Sequence, residues 1–156
     1  MHWVYPYERL RSPNVIGTLT AVELASTTKQ KLFVFVSSTS AIDTEHYVRL
    51  ADSLSHTKRR GIPEDDDLEG ARTGLKTGYG QSKWVSEKLL FEAGKRGLKG
   101  HIVRPGYVVG DSKTAGTRFL AYGDQLSRLI GALDSDQHGR FHMALGQRLC
   151  TAWARS

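Results

Sequence analysis

The sequence predicts an α/β fold in which a parallel sheet is flanked by helices, and three stretches carry that expectation. Leu32-Phe33-Val34-Phe35-Val36 is an unbroken apolar run, rich in β-branched and aromatic residues, that ends abruptly in Ser37-Ser38-Thr39-Ser40. A strand buried on both faces reads this way where it emerges at the carboxyl edge of a parallel sheet. His101-Ile102-Val103-Arg104 reads as a second strand, stopped by Pro105-Gly106. Between them, the stretch from Gly78 to Phe91 has helical spacing, with Trp84, Leu89, Leu90 and Phe91 as the stripe that must pack on the sheet.

Along the chain, Pro13-Asn14-Val15-Ile16-Gly17-Thr18 opens a helix with apolar residues at Val15, Ile16, Leu19 and Val22. Proline near a helix start fits its fixed φ, and asparagine there is also a common cap. After the first strand comes a polar insertion over residues 44–77, punctuated by Gly61, Pro63, Gly70 and Gly74, with one short helix expected over residues 47–54. Gly94 and Gly97 are expected to end the helix that begins near Gly78. The order helix, strand, helix, strand follows. Near the end, residues 142–150 are a weak helical candidate.

Chemistry concentrates at Tyr79 and Lys83. Their i, i+4 spacing puts phenol and ammonium on one helix face. A tyrosine hydroxyl, with a reference pKa of about 10, is a poor acid-base group at neutral pH, and a lysine cation beside it favours the phenolate. The same spacing also describes a tyrosine packed under a solvated lysine stem, so the pair gains meaning only from its setting. That setting is the carboxyl edge of the strands, where ligands bind in open α/β sheets.

Taken together and in order, Asn14-Val15-Ile16-Gly17-Thr18, Ser37-Ser38-Thr39, Tyr79 with Lys83, and Arg104-Pro105-Gly106 resemble the extended short-chain dehydrogenase/reductases. His2-Trp3-Val4-Tyr5-Pro6-Tyr7, Gly78 to Trp84, and Ile102 to Val108 narrow the resemblance to the carboxy-terminal thioester reductase domains of the fungal L-2-aminoadipate reductases, over about residues 2–117. The resemblance implies an incomplete Rossmann-like parallel sheet with flanking helices. It also implies an NADPH-dependent oxidoreductase that releases L-2-aminoadipate semialdehyde from a phosphopantetheine-bound acyl substrate on a carrier domain, in lysine biosynthesis.

The same resemblance assigns roles. Thr39, Tyr79, Lys83 and Asn14 are the catalytic set, with Thr39 favoured over Ser37 among the hydroxyls and Asn14 supporting the lysine through a water relay. Tyr79, Lys83, Pro105, Gly106, Tyr107 and Val108 would contact the cofactor. Two departures qualify this. No Gly-x-x-Gly-x-x-Gly follows a strand anywhere in the 156 residues, so the turn that would bring backbone amides to the pyrophosphate is missing. Residues 118–156 carry no pattern of the family; they are expected to be a disordered or weakly helical tail beyond a partial reductase domain over residues 1–117, as a change of reading frame near Thr117 would produce. The isolated polypeptide is therefore expected to be inactive. A non-catalytic remnant, and a sugar-nucleotide epimerase or dehydratase sharing the Thr, Tyr and Lys constellation, stand as alternatives.

Composition narrows the partners. Twenty-two Lys and Arg against sixteen Asp and Glu give a formal charge of +6. The basic residues are scattered, and Lys58-Arg59-Arg60 is followed by Glu64-Asp65-Asp66-Asp67, so no nucleic-acid surface is expected. The acidic run reads as a solvated loop without calcium-loop spacing, and the six histidines lack ligand spacing, so no metal is expected. The single Cys150 excludes an internal disulfide framework and fits a cytoplasmic setting. No window has the apolar length of a membrane span.

Overall fold

The computed structural model describes residues 4–27, 29, 31–54, 62–63 and 65–106, with the backbone of residues 142–145. Helix α1 (Tyr7–Leu10) runs through a π-helical turn (Arg11–Ile16) into α2 (Gly17–Ser26). The helix thus begins six residues before Pro13, and Pro13 lies inside it. Proline brings no N–H for the carbonyl four residues back, and the chain widens locally instead. The N–H of Gly17 donates to the Ser12 carbonyl, five residues back, as in the π-bulges that recur at functional sites. Asn14 therefore sits in the widened turn and caps nothing.

Strands β1 (Phe33–Val36), β2 (Gly100–Arg104) and β3 (His142–Leu145) form a parallel sheet in the order β1-β2-β3. Phe33 stands opposite Gly100, Val36 opposite Val103, and Arg104 opposite Leu145. The expectation of a weak helix is corrected at residues 142–145, which form a strand. Beside β2, four residues gain an unbroken ladder there, which a helix this short would not supply. The expected disorder of the rest of 118–156 lies outside the described residues. Central β2 is buried at every position, as strands with neighbours on both sides and helices on the faces are.

A 3₁₀ turn (Thr39–Ile42) follows β1 and leads into α3 (Glu45–Leu54). The helix expected over residues 47–54 is thus two residues longer at its start. Helix α4 (Gly78–Lys95) then returns across the sheet to β2. Its start is capped by Thr77, whose side-chain oxygen accepts from the Gly80 N–H. Gly97, at φ 102°, turns the chain just after the last helical residue, as a left-handed stop. Gly94 is not a terminator; it is still helical.

Two apolar clusters meet at α4. Ala25, Leu90, Leu98 and Ile102, with Val22, Phe33 and Phe35 against them, join α2, α4 and the sheet. Ile42, Tyr47, Ile62, Leu68 and Ala71, with Leu50, Leu75 and Trp84 against them, form the second. Phe91 packs on both. The second cluster shows that part of the polar insertion is a packed lobe. The Trp84 indole N–H donates to the Leu68 carbonyl at 2.8 Å, and Thr44 Oγ1 to the Gly70 carbonyl at 3.3 Å. Asp66 accepts from the Tyr47 hydroxyl and, at 2.8 Å, from the Leu68 N–H, so this carboxylate of the acidic run is anchored. Burial and Asp66 together push the Tyr47 phenol well above its ordinary range. Those bonds hold Leu68, fully buried, at φ 63°, a backbone conformation that costs a branched residue about 1 kcal/mol or more.

Candidate active site

The carboxyl ends of β1 and β2 continue in register beyond the strands. The Ser37 N–H donates to the Val103 carbonyl at 2.7 Å, and the Thr39 N–H to the Pro105 carbonyl at 3.3 Å. The hydroxyl-rich turn and the Pro-Gly turn, 66 residues apart in sequence, are thereby tied to each other at one sheet edge.

Helix α4 brings Tyr79 to that edge through two glycines. A Cβ at Gly80 would lie 2.5 Å from the Ser40 carbonyl oxygen. One at Gly78 would lie 2.5 Å from the Pro6 carbonyl carbon and 2.6 Å from the Tyr5 oxygen. Any side chain at either position would force the helix start away from its supports. Tyr79 stands between them, half-buried, and both it and Thr39 are one residue from the Gly80–Ser40 contact.

One turn further along α4, Lys83 is buried beneath the end of β1. Its Nζ donates to the Val36 carbonyl at 2.8 Å, and lies 4.8 Å from the centroid of the Phe35 ring and 5.8 Å from that of Tyr79. Burial holds the ammonium below the ordinary lysine range, and the carboxylate of Glu87 works against that shift. Among the described residues Val36 is the only hydrogen-bond acceptor of this three-donor group.

Asn14 reaches the residue next to Lys83. Its Nδ2 donates to Ser82 Oγ at 2.9 Å, and Ser82 Oγ donates to the Tyr79 carbonyl at 2.8 Å. The Asn14 carbonyl accepts from Thr18 Oγ1 at 2.6 Å and Ser86 Oγ at 3.2 Å. Asn14 thus pins the second and third turns of α4 to the bulged helix.

Of the residues expected to contact a cofactor, Tyr79, Lys83, Pro105 and Gly106 are at this edge; Tyr107 and Val108 lie outside the described residues. Gly106 is exposed, and a Cβ there would meet nothing among the described residues within 4 Å. The donor set suits the nicotinamide-ribose end of a dinucleotide: a buried ammonium with donors to spare, a phenol beside it and an open glycine turn. A cleft of about 330 Å³ flanks α4 at Tyr7, Arg72, Leu75, Gln81 and Trp84, but neither Thr39, Tyr79 nor Lys83 lines it.

Sequence reasoning missed the group under this edge. Glu87 and Arg104 form an ion pair with no exposed surface, Arg104 Nε at 2.9 and 3.0 Å from the two carboxylate oxygens and Nη2 at 2.5 Å from Oε2. The Ser37 hydroxyl donates to the same carboxylate, so Ser37 does more than end a strand. A signal was available: Lys83 and Glu87 follow Tyr79 at four-residue steps, and both lie on the buried stripe of α4, where charge has no place without a partner.

Comparison with known proteins gives the family. A family model described as male sterility protein, an NAD-binding family, matches residues 1–133. L-2-aminoadipate reductase of Schizosaccharomyces pombe is 58% identical over 114 residues, 73% of this chain and 8% of that protein. The L-2-aminoadipate reductase large subunit of Candida glabrata is 51% identical over 136 residues, 83% of this chain and 10% of that protein. Among solved structures, the terminal R domain of the myxalamid PKS-NRPS pathway matches with a TM-score of 0.59 and 40% identity, over 73% of this chain and 26% of that one. The chain therefore spans about a tenth of the length of these two reductases. Among the described residues no helix is long and apolar enough to cross a membrane. With 133 residues under one family model, and its site motifs gathered at the carboxyl edge of a parallel sheet, the chain belongs to this NAD-binding reductase family.

Proposed function

We propose that this chain supplies the tyrosine-lysine edge of a cytoplasmic, NADPH-dependent thioester reductase that releases L-2-aminoadipate semialdehyde from a phosphopantetheine thioester on a carrier domain. Residues 1–117 hold every motif this reading uses. The observation that carries it is the placement of Lys83 between the Tyr79 ring and the end of β1, beside the joined Thr39 and Pro105 turns.

Bound NADPH supplies the hydride that adds to the thioester carbonyl carbon. Negative charge then develops on the carbonyl oxygen, and donors aimed at it lower the barrier. Tyr79 and Thr39 are those donors, Tyr79 giving its phenolic proton and Thr39 a hydrogen bond. Lys83 binds the nicotinamide ribose with the N–H donors that Val36 does not take, and its charge favours the phenolate left on Tyr79. Asn14 keeps Lys83 in place by fixing Ser82 beside it. Pro105 and Gly106 would hold the nicotinamide ring, glycine allowing close approach, and the same role is proposed for Tyr107 and Val108. Breaking the carbon-sulfur bond returns the thiol to the carrier and frees the aldehyde.

Saturation-transfer NMR of the chain with NADPH tests the assignment without requiring turnover. Transfer is expected at the nicotinamide ribose, weaker at the adenine, and lost in Lys83→Ala. Absence of transfer at millimolar NADPH, or transfer indifferent to Lys83, overturns it. Aminoadipyl-pantetheine thioester should compete better than a uridine diphosphate sugar for the same edge; the reverse order would favour an epimerase or dehydratase.

A further inference from the structure

The buried ion pair beneath the site has no evident purpose in stability. Removing two charges from water costs several kcal/mol per ion, and pairs of this kind are often replaced by apolar residues with no loss of stability. This pair nevertheless joins three elements. Glu87 comes from α4, Ser37 from the end of β1 and Arg104 from the end of β2, and Ser37, Glu87 and Arg104 are 3%, 0% and 0% exposed.

Each partner is close in sequence to a site residue. Lys83 is one helical turn before Glu87, Thr39 is two residues after Ser37, and Pro105 follows Arg104. A shift of Glu87 would therefore move the lysine helix relative to both turns at once. We propose that Glu87 is a positioning residue of the reductase centre: gripped by Ser37 and Arg104, it registers the Lys83 turn of α4 on the strand ends that carry Thr39 and Pro105, and sets a fixed negative charge beside the Lys83 ammonium. This rests on the reading of the edge as a reductase site.

The surroundings of Lys83 leave this charge little competition. On its own helix the titratable groups are Tyr79 and Glu87; β1 presents the Phe35 ring and the Val36 carbonyl, both neutral. From β2, Arg104 is bound to Glu87 itself. From the π turn Asn14 is neutral and bound to Ser82. Burial acts against the lysine charge and the Glu87 carboxylate supports it.

The test is an NMR pH titration of the chain labelled with [13Cε]lysine, the Lys83 signal being assigned by its loss in Lys83→Arg. In Glu87→Gln the Lys83 signal is expected to lose its proton at lower pH than in the parent, other lysines unmoved. In Glu87→Asp, which keeps the charge, it should stay near the parent. Because Glu87→Gln strands Arg104 and invites unfolding, Glu87→Gln with Arg104→Met removes both buried charges, should keep the parent's far-UV circular dichroism, and should show a downward shift that is smaller because the Arg104 cation is gone as well. A Lys83 titration in the folded double variant that superimposes on the parent's overturns the proposal. The NADPH transfer experiment reads the reductase assignment separately. A chain silent to NADPH whose Lys83 still answers to Glu87 fails as a reductase and keeps this coupling, and the reverse pattern fails the coupling alone.

Discussion

At the scale of single residues, the site is costly where it is chemical. Lys83 is buried and holds its charge against desolvation with one carbonyl, two aromatic faces and the Glu87 carboxylate. Its folded pKa lies below the ordinary value, so the folded state binds the lysine proton less readily than the unfolded state does. The destabilisation this brings is fully present below the folded pKa and fades as pH rises through it towards the ordinary lysine value of about 10.4. Lys83→Met keeps much of the stem and removes the charge. It is expected to raise the melting temperature at neutral pH, by an amount that narrows in alkali, and to abolish NADPH contact. A variant less stable than the parent at neutral pH, measured by thermal denaturation across pH, would show that the carbonyl bond and the ring contacts outweigh desolvation. Such a trade between stability and a charged site residue is common where function sets the residue. From sequence, Tyr79 and Lys83 were legible because their spacing and setting were local; Glu87 showed only as a charge at the same helical spacing, because its meaning lies in partners 50 residues before it and 17 after.

At the scale of elements, two glycines on helices have opposite roles that the sequence does not distinguish. Gly17 begins α2, and a Cβ there would come no nearer than 3.9 Å to the Ser12 carbonyl oxygen. Gly17→Ala should therefore stabilise by about 0.5–1 kcal/mol, the ordinary gain of alanine over glycine in a helix. Gly80 lies in the first turn of α4 against the Ser40 backbone, which cannot give way as a side-chain tip would. Gly80→Ala should cost about 1–3 kcal/mol and shift the NMR signals of Thr39 and Tyr79, since the contact it breaks lies between them. Denaturant titration of the two variants in parallel checks both signs; equal effects would mean that α4 is not seated on the 3₁₀ turn. Strands β1 and β2 were legible because each has an apolar centre closed by turn residues, and β2 was placed within one residue; β3 was not, being read as a weak helix. The first helix was misplaced at its start because residues 7–12 are mostly polar and Pro13 has the character of a first-turn residue. A π turn spends that proline inside the helix, and no local period announces it.

At the scale of the whole molecule, the two apolar clusters share one helix, and a single side chain touches both. Phe91 packs on the α2-sheet cluster and on the lobe built from the insertion. That lobe was hidden in the sequence because its anchors are single long-range bonds, Trp84 to the Leu68 carbonyl and Tyr47 to Asp66, between residues that each look ordinary where they stand. Its fusion to the sheet through α4 predicts that lobe and sheet unfold together. In a background with Trp3 and Trp153 replaced by phenylalanine, Trp84 fluorescence reports the lobe and far-UV circular dichroism reports the helices as a whole. The two transitions should coincide, as one cooperative unit requires. Phe91→Ala leaves a gap at the junction of both clusters; half-buried as Phe91 is, the loss should be about 2–3 kcal/mol, at the low end for a large-to-small core change. The expected result is one lowered transition seen identically by both probes. If the fluorescence transition instead moves down alone, the lobe is a separate unit, and the Gly78-Tyr79-Gly80 start of α4 must take its position from the sheet edge and the Tyr5-Pro6-Tyr7 segment without help from the insertion.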